Sequence, residues 1–371
     1  MTNETILSYS YKDVPIYWRR LLMDTSLLKV ICLLEKEEEN RKVYKQLIEI
    51  LDTALIVSGG PGEHRRSMAL DLINDLHILS RSSLDNKKYN NNNRNNGLLF
   101  TLDTTTPLPL IQYPITILST PPDYHWFETY INVASASPLH LKGELMHHWP
   151  ALTTRPWSRI DYILDKTGDR LVPVEIGSQY TDTHWQQKMM TMEDFILNYI
   201  LKDEKEEKEI AYLAQHDLFY QIPLLENDIS IPDYCFICPQ PTIYYTPKKE
   251  QLDDDNDDHH PIIKNAWFGP KGTVSPLHHD PYHNLLAQVV GRKYIRLYAP
   301  TDSDALYPYD GIMSNTSQID IDDPDLVQFP LFKNVNYIEC ILNPGEMLYI
   351  PPKWWHYVRS LDASFSVSFW F

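Results

Sequence analysis

Residues 265–284 read NAWFGPKGTVSPLHHDPYHN. In an extended chain, residues i and i+2 point to the same face. His278 and Asp280 therefore share one face, and His279 takes the other. An imidazole and a carboxylate on one strand face make half of a metal site. The third ligand has to come from another strand that faces the same interior. Residues 345–357, GEMLYIPPKWWHY, offer it. There a run of β-formers ends at a Pro-Pro turn, and an aromatic hairpin presents His356. Two histidines and one carboxylate suit Fe(II) and leave coordination positions open. Zinc, manganese and cobalt accept the same donors, so the donor set alone does not choose the metal.

The flanking sequence predicts the scaffold. Val289, Tyr294–Tyr298 and Met347–Ile350 are rich in β-formers. Ser364, Ser366 and Ser368 alternate with Phe365, Val367 and Phe369, a period-2 strand with one apolar and one small polar face. A sandwich or barrel is the natural outcome. Residues 1–84 read differently. Val43, Leu47, Ile48, Leu51, Ala54 and Leu55 recur at helical spacing, and Ser58-Gly59-Gly60-Pro61-Gly62 stops the helix. The expectation is a mixed α and β chain: a helical N-terminal domain over 1–84, an Asn-rich linker and lead-in over 85–123, and a catalytic domain over 124–371. The helical domain carries no candidate catalytic residue and is expected to support or to bind partners.

Composition removes several classes. At 43% hydrophobic and 22% charged residues, the 371-residue chain is globular rather than disordered. It holds no run of about 18 apolar residues, so no spanning helix is expected. Met1–Ser10 lack a basic segment followed by an apolar core, so no secretory leader is expected. Four cysteines are too few for a disulfide scaffold and fit a reducing compartment, nucleus or cytoplasm. The net charge is −17, and residues 124–371 hold 19 basic against 35 acidic side chains. That balance argues against direct nucleic-acid binding and favours cationic partners. The acidic runs KDEKEEKE (202–209) and LDDDNDD (252–258) read as solvated loops. Asp253, Asp255 and Asp257 lack the turn glycine and closing glutamate of a calcium loop. Cys235-x-x-Cys238 lacks the second ligand pair of a zinc site. His283, His147 and His148 read as structural.

Taken together, six stretches resemble the JmjC-domain family of Fe(II)/2-oxoglutarate oxygenases, in a branch described both as lysine-specific demethylases and as arginine C-3 hydroxylases. They are VPVEIGSQYTD (172–182), YLAQHDLFYQIP (212–223), DISIPDYC (228–235), residues 265–284, GRKYIRLYAP (291–300) and PGEMLYIPPKWWHYVRSLDASFSVSFW (344–370). The resemblance implies a C-terminal double-stranded β-helix of cupin or jelly-roll type. It implies His278, Asp280 and His356 as iron ligands, with 2-oxoglutarate and O₂ as co-substrates. By the same resemblance Lys293, Tyr180 and Ser275 hold the distal carboxylate of 2-oxoglutarate, and Asn284 lies near its metal-bound end. Trp267 lines the substrate pocket, where a guanidinium can stack; Glu175 is a further pocket candidate. The implied substrate is a protein or peptide bearing Arg or Lys. Arginyl C-3 hydroxylation is preferred, histone lysine demethylation is the alternative, and a silent interaction scaffold is the reading from another class. Two features depart from the family pattern: His279 between the ligands, and longer inserts near 201–209 and 245–262. The sequence does not fix the oligomeric state.

Overall fold

The computed structural model describes residues 6, 9, 13–36, 40–82, 99–177, 185–201, 209–246 and 262–371. The readings made for the Asn-rich run, for the acidic runs at 202–208 and 252–258, and for Tyr180 lie outside them. Two compact units are present. One comprises 1–97, 163–172 and 189–195, the other 98–162, 173–188 and 196–371.

Three helices build the first unit: α1 (Ile16–Leu34), α2 (Arg41–Ser58) and α3 (Arg65–Ser82). Asn40 caps α2, its side chain accepting the Val43 N–H at 3.1 Å. Gly59 closes it at φ 75°, a left-handed conformation that glycine adopts at least cost. The helical stripe read from sequence is the buried one. Leu47, Ile48, Leu51 and Leu55 of α2 pack with Met23, Leu27 and Val30 of α1 and with Ile73 and Leu76 of α3. Residues 163–172 belong with these helices for an electrostatic reason. Buried Asp52 accepts the Arg170 guanidinium at 2.6 and 3.0 Å and the Leu171 N–H at 2.8 Å. Asp169 likewise takes Ser80 at 2.9 Å and Lys45 at 3.1 Å. The sequence boundaries near 84 and 123 therefore differ from the units found, since 98–123 belong with the second.

The strands are β1 (Thr116–Leu118), β2 (Leu139–Leu141), β3 (Leu171–Ile176), β4 (Gln186–Thr191), β5 (Ala211–His216) and β6 (Ile263–Gly269). They continue with β7 (Val274–His278), β8 (Asn284–Val290), β9 (Lys293–Tyr298), β10 (Ile338–Leu342), β11 (Met347–Ile350), β12 (Trp355–Ser360) and β13 (Ser364–Trp370). Among the described residues they form a nine-stranded sheet, β1-β2-β11-β8-β13-β6-β5-β3-β4, and a four-stranded sheet, β10-β9-β12-β7. Leu286 and Leu348 of the first sheet share one core with Ile295, Leu297, Leu342 and Val358 of the second. Two sheets closed on a common interior are the double-stranded β-helix that the resemblance implies.

Both faces of β13 are buried, not the apolar one alone. Phe365 stacks on Phe268 and lies 4.5 Å from the Trp157 ring, while Phe369 meets Trp149 edge-on. The serines bond across the sheet instead: Ser366 donates to Gln288 Oε1 at 2.7 Å, and Ser368 accepts the Trp267 indole N–H at 2.9 Å. Small side chains on that face leave space in the interior, and the candidate site occupies it.

Candidate metal centre

β12 pairs antiparallel with β7, placing His356 opposite His278 in register. β7 ends at His278, and Asp280 follows on the turn. The register shifts between His356 and Val358, a bulge beside a ligand position. One donor atom from each of His278, Asp280 and His356 lies within 4.8 Å of the other two. The Asp280 Oδ2 atom is 3.9 Å from His278 Nε2 and 3.6 Å from His356 Nε2. Among the described residues this is the one group of three or more His, Cys, Asp or Glu side chains so placed.

The far side of each ring is already committed. His278 Nδ1 lies 2.7 Å from the Pro276 carbonyl and His356 Nδ1 lies 3.0 Å from the Trp354 carbonyl. A carbonyl only accepts, so each Nδ1 carries the proton and each Nε2 presents a lone pair. Burial pushes His356 well below the usual imidazole range, which keeps it neutral. Burial also raises Asp280, against the pull of His278 and Lys353. One carboxylate oxygen and two imidazole nitrogens that converge within 4.8 Å are a donor set that a divalent ion takes. The donors therefore fit such a metal. His279 turns away as the alternation predicts: its ring meets Trp355 edge-on at 4.6 Å, and its N–H donates to the Asn315 carbonyl.

A cavity opens beside the three ligands, lined also by Lys293, Tyr212, Ser275, Asn284, Trp267 and Ser368. Lys293, the first residue of β9, is fully buried; burial pushes its ammonium down to about 7. It donates to the Tyr212 hydroxyl at 3.2 Å, and Tyr212 is hydrogen-bonded to Ser275. Burial raises the Tyr212 phenol, so its oxygen stays protonated. The Asn284 Oδ1 atom is buried without a hydrogen-bond partner. A buried ammonium without an anion, two hydroxyls and an orphaned amide oxygen make a polar recess able to take a carboxylate-bearing ligand beside a metal.

Of the expected site residues, the structure brings together His278, Asp280, His356, Lys293, Ser275, Asn284 and Trp267. Glu175 lies next door, opposite Tyr212 in the β3–β5 register. Its carboxylate accepts the Trp185 indole N–H at 3.2 Å, and burial raises it. Tyr212 was not anticipated as a site residue. Its signal was the YLAQH stretch, where alternation places Tyr212 and Ala214 on one face.

A family profile described as a cupin-like domain matches residues 127–371. The chain is 47% identical over 270 residues to lysine-specific demethylase 8 of Xenopus tropicalis, which covers 72% of this chain and 54% of that protein. Against lysine-specific demethylase 8 of Danio rerio the identity is 53% over 223 residues, 60% of this chain and 50% of the relative. JmjC domain-containing protein D of Dictyostelium discoideum is 45% identical over 256 residues, 67% and 54% of the two chains. The chain spans about half the length of these curated relatives. It belongs to the cupin-like domain family, in the JmjC branch.

Proposed function

We propose that this chain is an Fe(II)- and 2-oxoglutarate-dependent protein oxygenase, and that it hydroxylates an arginyl side chain at C-3. One observation carries the reading: a buried, anion-free Lys293 opens into the same cavity as His278, Asp280 and His356. When bound, the iron, 2-oxoglutarate and O₂ supply the oxidation of the substrate C–H bond. The chain's own residues do the rest. His278, Asp280 and His356 hold the metal. Lys293 pairs with the distal carboxylate of 2-oxoglutarate in a charge-assisted contact, helped by the hydroxyls of Tyr212, Ser275 and, from the resemblance, Tyr180. Asn284 contacts the co-substrate nearer the metal.

The substrate end is read from Glu175 and Trp267. A planar guanidinium can donate to a half-buried carboxylate while lying flat on an indole, which an ammonium does less well. The names of the relatives favour a second reading, removal of an N-methyl group from lysine through hydroxylation of that methyl. The partner is a protein or peptide inside the cell, in nucleus or cytoplasm.

Arginyl and N-methyl-lysyl peptides, each incubated with the chain, Fe(II), ascorbate and 2-oxoglutarate, separate the readings by mass spectrometry. The account expects one added oxygen on Arg. Loss of a methylene from Lys with release of formaldehyde supports the second reading. No succinate above background with either peptide overturns both.

A further inference from the structure

Residues 104–107 read Thr-Thr-Thr-Pro, and the segment that holds them is exposed and without helix or strand. The Thr106 hydroxyl donates to Asp103 Oδ2 at 2.6 Å. Its oxygen also accepts from the Lys271 ammonium at 3.0 Å. Thr106 lines a second cavity of ≈ 310 Å³ together with Asp103, Lys271, Arg292 and Arg359 among others. None of its residues lines the metal centre. A hydroxyl followed directly by proline, in an extended exposed segment, is the shape that proline-directed protein kinases accept. That dipeptide is common in loops. Three cations around one cavity beside the hydroxyl are not.

We propose that Thr106 is a phosphorylation site and that this cavity receives the phosphoryl group through Lys271 and Arg359. The γ-phosphoryl of ATP passes to Thr106 Oγ1, the hydroxyl proton leaves to solvent, and ADP departs. Esterification removes the donor that Thr106 now offers to Asp103, and it places about −1.5 to −2 charges beside that carboxylate. Asp103 lines the same cavity, and like-charge repulsion turns the phosphate from its carboxylate toward Lys271 and Arg359. Lys271 is already within reach: its ammonium donates to Thr106 Oγ1 at 3.0 Å and to Asp103 Oδ2 at 2.5 Å. Arg292 stays committed, donating to both carboxylate oxygens of Asp362 at 2.7 and 2.9 Å and to the Asp103 carbonyl at 2.6 Å. Arg359 is the exchangeable cation. Among the described residues its one hydrogen bond, 2.9 Å to Asp322 Oδ1, joins two part-exposed side chains, and its guanidinium also lies 5.7 Å from the Tyr294 ring centroid. Such surface pairs hold weakly, and a phosphate is the stronger acceptor.

The test uses the full chain. A proline-directed kinase with ATP is expected to add one phosphoryl group at Thr106, located by peptide mapping and absent from Thr106→Ala. Phosphatase then removes it from the wild type roughly tenfold more slowly than from Lys271→Met or Arg359→Met, since each loses a charge-assisted contact. Melting curves of the unmodified variants report their folding. Raising salt on wild-type protein needs no variant, and it is expected to speed the removal. No phosphate on Thr106 of the folded chain overturns the proposal. So does a removal rate that neither the substitutions nor salt can change.

Discussion

The Lys293 ammonium lies 3.2 Å from the Tyr212 hydroxyl, in the cavity that His278, Asp280 and His356 also line. No carboxylate among the described residues pairs with it, and burial alone sets its proton affinity. A cation placed so is costly unless an anion joins it. In the proposed function the distal carboxylate of a dicarboxylic co-substrate is that anion.

Removal of the charge therefore weakens co-substrate binding. Lys293→Ala is expected to raise the KM for 2-oxoglutarate by roughly 10- to 150-fold, the equivalent of about 1.5–3 kcal/mol for a charge-assisted hydrogen bond. Tyr212→Phe removes a neutral hydroxyl and is expected to cost about 1 kcal/mol, or roughly fivefold. Succinate production at varied 2-oxoglutarate measures both. Equal KM values for wild type and Lys293→Ala contradict the assignment.

The same group gives the free protein a pH signature. In the folded chain Lys293 titrates near 7, against an ordinary value of 10.5. Between these values the unfolded chain binds more protons than the folded one, so stability rises with pH across the window. Below about 7 the full penalty is present. Urea unfolding of the metal-free and co-substrate-free protein at pH 7 and pH 9 measures it. Lys293→Met is expected to flatten the rise. A wild-type slope unchanged by that substitution places the titration elsewhere.

The Ser368 hydroxyl holds the Trp267 indole at 2.9 Å. Ser368→Ala frees the indole N–H. It is expected to lower kcat/KM for an arginyl peptide several-fold, by about 1 kcal/mol, while 2-oxoglutarate binding stays the same. Loss of both together assigns Trp267 to the co-substrate end of the cavity.

In the helical unit, Asp52 and Arg170 form a buried ion pair at 2.6 Å. Arg170→Met leaves the buried Asp52 carboxylate without its guanidinium partner. The expected loss is about 3–5 kcal/mol, read as a lower melting temperature. A change under about 1 kcal/mol indicates that water reaches the carboxylate.

The convergence of His278, Asp280 and His356 was legible because its geometry is mostly local. Alternation puts His278 and Asp280 on one side, and the Pro-Pro turn with its aromatic hairpin fixes where His356 emerges. The helical stripe from Val43 to Leu55 was legible for the same reason, as a period within one element. Tyr212 was harder to see, because its place depends on β5 pairing with β6 across a long insert. The Asp52–Arg170 pair was invisible: nothing local marks an aspartate in an amphipathic helix as the partner of an arginine far along the chain. That pair is also why the compact units cut across the boundaries drawn from composition. The serines of β13 show a further limit. Alternation separates the two faces of a strand, but it does not say that the polar one borders the cavity.

The central claim is that three side chains hold Fe(II) while 2-oxoglutarate chelates the same ion. Anaerobic titration of the full chain with Fe(II) and 2-oxoglutarate tests it most directly, by the visible charge-transfer absorption of a ferrous ion chelated by a 2-oxo acid. The account predicts a band that saturates at one iron and one 2-oxoglutarate per chain and is absent from Asp280→Ala and His356→Ala. No band in the wild type, or an undiminished band in those two variants, contradicts it.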